Sequence, residues 1–198
     1  GLVQPLYSVG PAPMGLGDFG VRNTTGVATG YILRSQSWEG ILNLTSANAL
    51  YLDSGVPDWF GAQLNTVMTN TTVHGDFNGS YWIQNVIQYS TLTNSLTFLD
   101  NIWNFSNPST AEPASTFYKF CPSGMGGPVA PTFYYCFGPT YTVPFPFTVK
   151  LIVNSSMTVN TTTHAEWSTV QFAFVILNGA GAPVHSGTYD TVLFNSSV

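Results

Sequence analysis

The sequence predicts an all-β fold, an antiparallel β-sandwich with an extended N-terminal arm and a long Pro/Gly loop. Short apolar or alternating segments recur roughly every ten to fifteen residues, with Gly, Pro and Asn between them. No stretch shows a convincing helical period. The chain has 198 residues, 44% of them apolar, enough for one sizeable core.

Residues 1–15 carry Pro5, Pro11 and Pro13 and read as an arm, with residues 16–198 forming one domain. Within the arm, Leu2, Val3, Leu6, Tyr7 and Val9 form an apolar set suited to lying as a strand in a neighbouring sandwich. Strands are expected at Gly40–Ser46, Ala62–Thr69, Ser80–Tyr89 and Ser95–Trp103. Short helical turns are expected near Thr45–Asp53, and a turn at Asp76–Gly79. Residues 106–131, with five prolines and three glycines, read as a long loop. A strand at Phe133–Phe137 follows. In Phe147–Asn154 the residues Phe147, Val149, Leu151 and Val153 share one face, the period of a half-buried strand. Val170–Leu177 is apolar on both faces and reads as central. A turn at Asn178–Gly181 leads to a last strand, Thr188–Phe194.

Only 7% of residues are charged, against roughly 25% in ordinary soluble domains. A surface of Thr, Ser, Asn, Gln and Tyr has few carboxylate pairs to lose in acid, so the composition reads as acid adaptation. A glycan-covered exterior is the alternative cause. The net charge is -5, and Arg22, Arg34, Lys119 and Lys150 are scattered, which argues against nucleic acid as a partner. No apolar run approaches the roughly 18 residues of a membrane span. No signal peptide is evident, so the chain reads as mature or trimmed.

Cys121 and Cys136 are the two cysteines and are expected to pair, closing a loop worth roughly 3 kcal/mol. Asn-X-Ser/Thr occurs at Asn23, Asn43, Asn70, Asn78, Asn104, Asn154, Asn160 and Asn195. These are acceptors for N-linked glycans if the chain is exported. With the cysteines and the low charge, they point to an extracellular or cell-surface location.

Several blocks resemble the thermopsin family, and in the same order. They are Pro11-Ala12-Pro13-Met14-Gly15 through Phe19-Gly20, Tyr81-Trp82-Ile83-Gln84-Asn85-Val86, and Asn94 through Asn104. Thr132-Phe133-Tyr134-Tyr135, Gly138-Pro139 with Tyr141, and Tyr189-Asp190 follow. The resemblance covers nearly the whole chain and about the first two thirds of a thermopsin. It implies secretion, tolerance of acid and heat, and endopeptidase activity at low pH. Asn85 and Cys136 stand where the family carries Asp.

Acid proteolysis without a metal needs two carboxyls sharing one proton, one acting as base and the other polarising the peptide carbonyl. Asp100 and Asp190 fall in shared blocks, and both lie on the apolar face of their strands, beside Leu96, Phe98 and Ile102 or beside Val192 and Phe194. They are the candidate dyad. The competing structural role is two separate buried carboxyls, each binding backbone N–H at a strand end. Glu166, beside Trp167, is a weaker candidate, and Asp53, Asp58, Asp76 and Glu112 read as loop residues. Asp18 falls in a shared block, but the family keeps no acid there. His74, His164 and His185 lack HExxH or HxH spacing, so no metal and no cofactor is expected. A Ser-His-Asp site lacks a G-x-S-x-G elbow.

Two functions fit. The main expectation is an N-glycosylated structural subunit of a filament or cell-surface assembly, joined to copies of itself by strand donation from the arm. The substituted acids, the sequon density and the shortness relative to the family motivate it. The alternative is a secreted acid endopeptidase acting on peptide through Asp100 and Asp190. A carbohydrate-binding or adhesive module is a third, less supported class.

Overall fold

The computed structural model describes residues 35–50, 58–73, 76–104, 121–129, 133–159 and 166–196. The arm residues Leu2, Val3, Leu6, Tyr7 and Val9 lie outside these, as do Asn23, Asn160, Asp18, Asp53, Glu112, His74 and His164.

Among the described residues there are nine strands: β1 (Ser37–Leu44), β2 (Trp59–Val73), β3 (Asp76–Ser90), β4 (Ser95–Asn104), β5 (Gly126–Val129), β6 (Phe133–Thr142), β7 (Phe147–Val159), β8 (Glu166–Asn178) and β9 (Pro183–Ser196). They form two antiparallel sheets, ordered β1-β7-β8-β9 and β2-β3-β4-β6-β5. This is the predicted sandwich. Its core is the set of inner-face residues contributed by both sheets. Phe147, Val149, Leu151 and Val153 are all buried, as their alternation requires. Across the gap, Phe98 of β4 stacks on Phe174 of β8 with ring centroids 4.1 Å apart. Such a pair contributes about 0.5–1.5 kcal/mol beyond its buried area.

Several local expectations need correction. Asp76–Gly79 is not a turn but the start of β3, with Val73 paired to Asp76. The segment's turn-forming residues are overridden by ladder pairing to β2. Residues 45–50 contain no helical turn; Ala49 instead accepts hydrogen bonds from Asp58 N–H and the Thr91 hydroxyl. The Pro/Gly loop holds strand β5, paired to β6. β6 runs past Gly138-Pro139 to Thr142, because a register shift opposite Thr97–Leu99 absorbs those residues. β9 begins at Pro183, so His185 is a strand residue, stacked on Tyr141 at 4.1 Å. Glu166 is the first residue of β8.

Candidate active site

Asp100 lies at the middle of the five-stranded sheet. Its register partners are Asn85 on β3 and Cys136 on β6, and all three are buried. Leu96, Phe98 and Ile102 share its face, as the period-two pattern predicts.

Asp190 lies on β9, an edge of the other sheet, opposite Phe172. The ladder pairs Phe172 with Asp190 but Ala173 with Thr188, so Tyr189 is an extra residue. This bulge breaks the alternation and turns two consecutive side chains, Tyr189 and Asp190, into the interior. The Tyr189 ring occupies the place of a side chain at Gly138: a Cβ there would lie 2.6 Å from Tyr189 Cδ2.

The two sheets thereby bring together the two predicted aspartates. A carboxylate oxygen of Asp100, one of Asp190 and Cys136 Sγ all lie within 4.8 Å of one another. Asp100 is 0% exposed and Asp190 1%. The picture of two separate buried carboxyls is therefore corrected. One element of it survives, since Thr191 N–H donates to Asp190 Oδ1 at 2.7 Å. Tyr134 of β6 donates its hydroxyl proton to Asp190 Oδ2 at 2.6 Å. Neither oxygen of Asp100 meets a hydrogen-bond partner. What Asp100 faces is the carboxyl of Asp190, so a hydrogen bond between the two requires that one of them carry a proton.

Burial, and then the charge of Asp190, pushes the Asp100 carboxyl well above the usual carboxylate range. Burial raises Tyr134 as well, followed by its bond to Asp190. Tyr189 is raised by burial, then by Asp100, Asp190 and Tyr134. Both phenols are neutral donors in acid.

Asn85 has a different task. Its Nδ2 donates to Ile152 O at 2.9 Å and Ala173 O at 3.0 Å, and its Oδ1 accepts from the Tyr189 hydroxyl at 2.9 Å. It clamps one sheet to the other through two donors, which a carboxylate lacks. Cys136 forms the predicted disulfide with Cys121, with S–S 2.03 Å and Cα–Cα 5.2 Å. Its sulfur is therefore no thiolate. Among the described residues two carboxylates remain in the cluster, fewer ligands than a zinc centre uses.

Beside Tyr189 opens a cleft of about 400 Å³, walled by Phe137, Gly138, Pro139 and Tyr141 on one side and Phe174 and Ser186–Tyr189 on the other. Among the described residues Asp58 does not gather at the carboxyl pair, and the side chain of Glu166 lies outside those described. Of the sequons, Asn43 is exposed on β1 and accepts a hydrogen bond from Thr148. Asn154 on β7 is half-buried and accepts one from Ser37. Asn70, Asn78, Asn104 and Asn195 lie in β2, β3, β4 and β9.

Sequence reasoning found the two aspartates but missed Tyr134, Tyr189 and Asn85 as polar members of the site. All three fall in the shared blocks, which was the available signal.

The molecule is thus a β-sandwich enclosing a pair of carboxyls between its sheets, with hydroxyl and amide groups arranged around them. A family model described as Thermopsin matches residues 2–198, and the chain belongs to the thermopsin family. It is 38% identical over 104 residues to the thermopsin of Sulfolobus acidocaldarius, an alignment covering 50% of this chain and 30% of that protein. No solved structure matches. Thermopsins are a family of secreted proteases, which fits the peptidase expectation better than the filament or surface-coat subunit.

Proposed function

We propose that the chain is a secreted, acid-active endopeptidase that hydrolyses peptide bonds with Asp100 and Asp190 acting as a pair. The observation that carries this reading is the convergence of the two carboxyls, one from each sheet, within 4.8 Å in a buried site. Two like charges so close cannot both ionise readily, so the pair retains one proton over a wide acid range. A water molecule bonding to each carboxyl at about 2.8 Å spans this separation. One carboxyl then activates that water while the other protonates the peptide carbonyl oxygen. Substrate lying in the neighbouring cleft reaches the pair past Tyr189, the side chain shared by the cleft wall and the site. Export also fits the disulfide and the low charge.

The test is cleavage of a denatured protein at roughly pH 2–3, where a shared proton is retained, with pepstatin present to silence pepsin-like contaminants. Wild-type protein is expected to cleave, and Asp100→Asn prepared identically is not. Equal cleavage by both, or none by wild type, rejects the reading.

A further inference from the structure

We infer that Tyr134 decides which carboxyl holds the shared proton, making Asp190 the anion and Asp100 the acid. The inference rests on the peptidase reading for its catalytic meaning, but the proton assignment stands on hydrogen bonding alone.

Asp190 Oδ1 accepts from the backbone N–H of Thr191, a group that can only donate. Asp190 Oδ2 meets the Tyr134 hydroxyl at 2.6 Å, within the roughly 2.5–2.7 Å range of a hydroxyl bound to a charged oxygen. Both oxygens are therefore set up as acceptors. Around Asp100 the opposite holds, because its neighbours have already committed their donors. Both Asn85 amide protons go to Ile152 O and Ala173 O. The Tyr189 hydroxyl goes to Asn85. The Tyr134 hydroxyl goes to Asp190, and Cys136 is disulfide-bonded. An anion at Asp100 would be buried with neither oxygen compensated, whereas a protonated carboxyl loses much less on burial.

Catalysis then runs in one direction. Asp190 takes a proton from water as the water oxygen bonds to the peptide carbon, and Asp100 gives its proton to the carbonyl oxygen. In the second half, Asp190 protonates the departing nitrogen while Asp100 recovers a proton from the gem-diol. The C–N bond breaks, acid and amine leave, and the pair returns to its starting state. Tyr134 touches no reacting atom. It is a positioning residue that keeps Asp190 ionised in acid.

The experiment combines two readouts. With ¹³Cγ-labelled aspartate, each of six Asp carboxyl resonances is followed from acid to neutral pH, assigned with Asp100→Asn and Asp190→Asn. Asp190 is expected to ionise first, with Asp100 protonated far above it. Asp100 ionising first, or the two titrating together, overturns the assignment. In parallel, Tyr134→Phe removes only the hydroxyl. It is expected to move the acid limb of the kcat/KM–pH profile upward by about one to two pH units, and the Asp190 resonance with it. An unmoved resonance overturns the role of Tyr134. If that variant does not fold, the wild-type titration still decides. A protein with the expected titration order that cleaves nothing removes the peptidase reading and leaves the assignment in place.

Discussion

Replacing Asp100 by Asn should change the pH dependence of stability more than stability itself. The native Asp100 carboxyl holds its proton well above the range in which an unfolded Asp loses it, chiefly because it is buried. Between those two values the native state binds one more proton than the unfolded chain, so unfolding free energy falls as pH rises. The stabilisation is complete below the unfolded value and is lost as pH climbs through the native one. The slope for one group is about 1.4 kcal/mol per pH unit. In a domain of this size that equals about 3–6 °C in Tm per pH unit. The exposed Lys150–Glu39 pair, at 3.1 Å, is worth less than about 1 kcal/mol. Asp100→Asn is near-isosteric and uncharged, and the oxygens it replaces have no hydrogen-bond partner to lose. Thermal unfolding followed by circular dichroism from pH 2 to 7 should show similar Tm values in acid. The wild type should then decline with pH and the variant stay flatter. Parallel curves, or a wild type that gains stability toward pH 7, would refute the reasoning.

Other expectations are as specific. Gly138→Ala places a methyl 2.6 Å from the Tyr189 ring, so it should cost about 1–3 kcal/mol in denaturant melts. Asn85→Asp loses at least one of two donors to β7 and β8 carbonyls and must be protonated to donate at all. It should cost about 2–4 kcal/mol at neutral pH and less in acid, again by denaturant titration. Removing the Cys121–Cys136 bridge, which spans 15 residues, should cost about 3 kcal/mol and lower Tm by about 6–12 °C in calorimetry.

The strands were legible because a period of two survives in a chain with so few charges. Phe147–Val153 and Leu96–Ile102 announce their inner faces directly. The inward aim of Asp100 and Asp190 was legible on the same basis. Their meeting was not. It depends on two sheets closing over each other, with β1 paired to β7 across more than a hundred residues, and no local pattern encodes that. Tyr189 was hidden for another reason: strict alternation from Asp190 sends it outward, and only the bulge brings it in. Tyr134 looked like any core aromatic, because burial is set by its ring while its role is set by one oxygen. Gly138-Pro139 looked like a strand end, since turn residues read the same whether they stop a ladder or bulge within it. Asn85 read as a lost acid, but its two amide protons make it a clamp between sheets.

The central claim is that Asp100 and Asp190 act as one unit. The direct measurement is kcat/KM for a peptide substrate in acid, for Asp100→Asn, Asp190→Asn and the double variant. Groups that work together lose their function together, so each single variant should fall about 10²- to 10⁴-fold and the double variant no further. Losses that multiply in the double variant, or a single variant that retains wild-type turnover, would contradict the account.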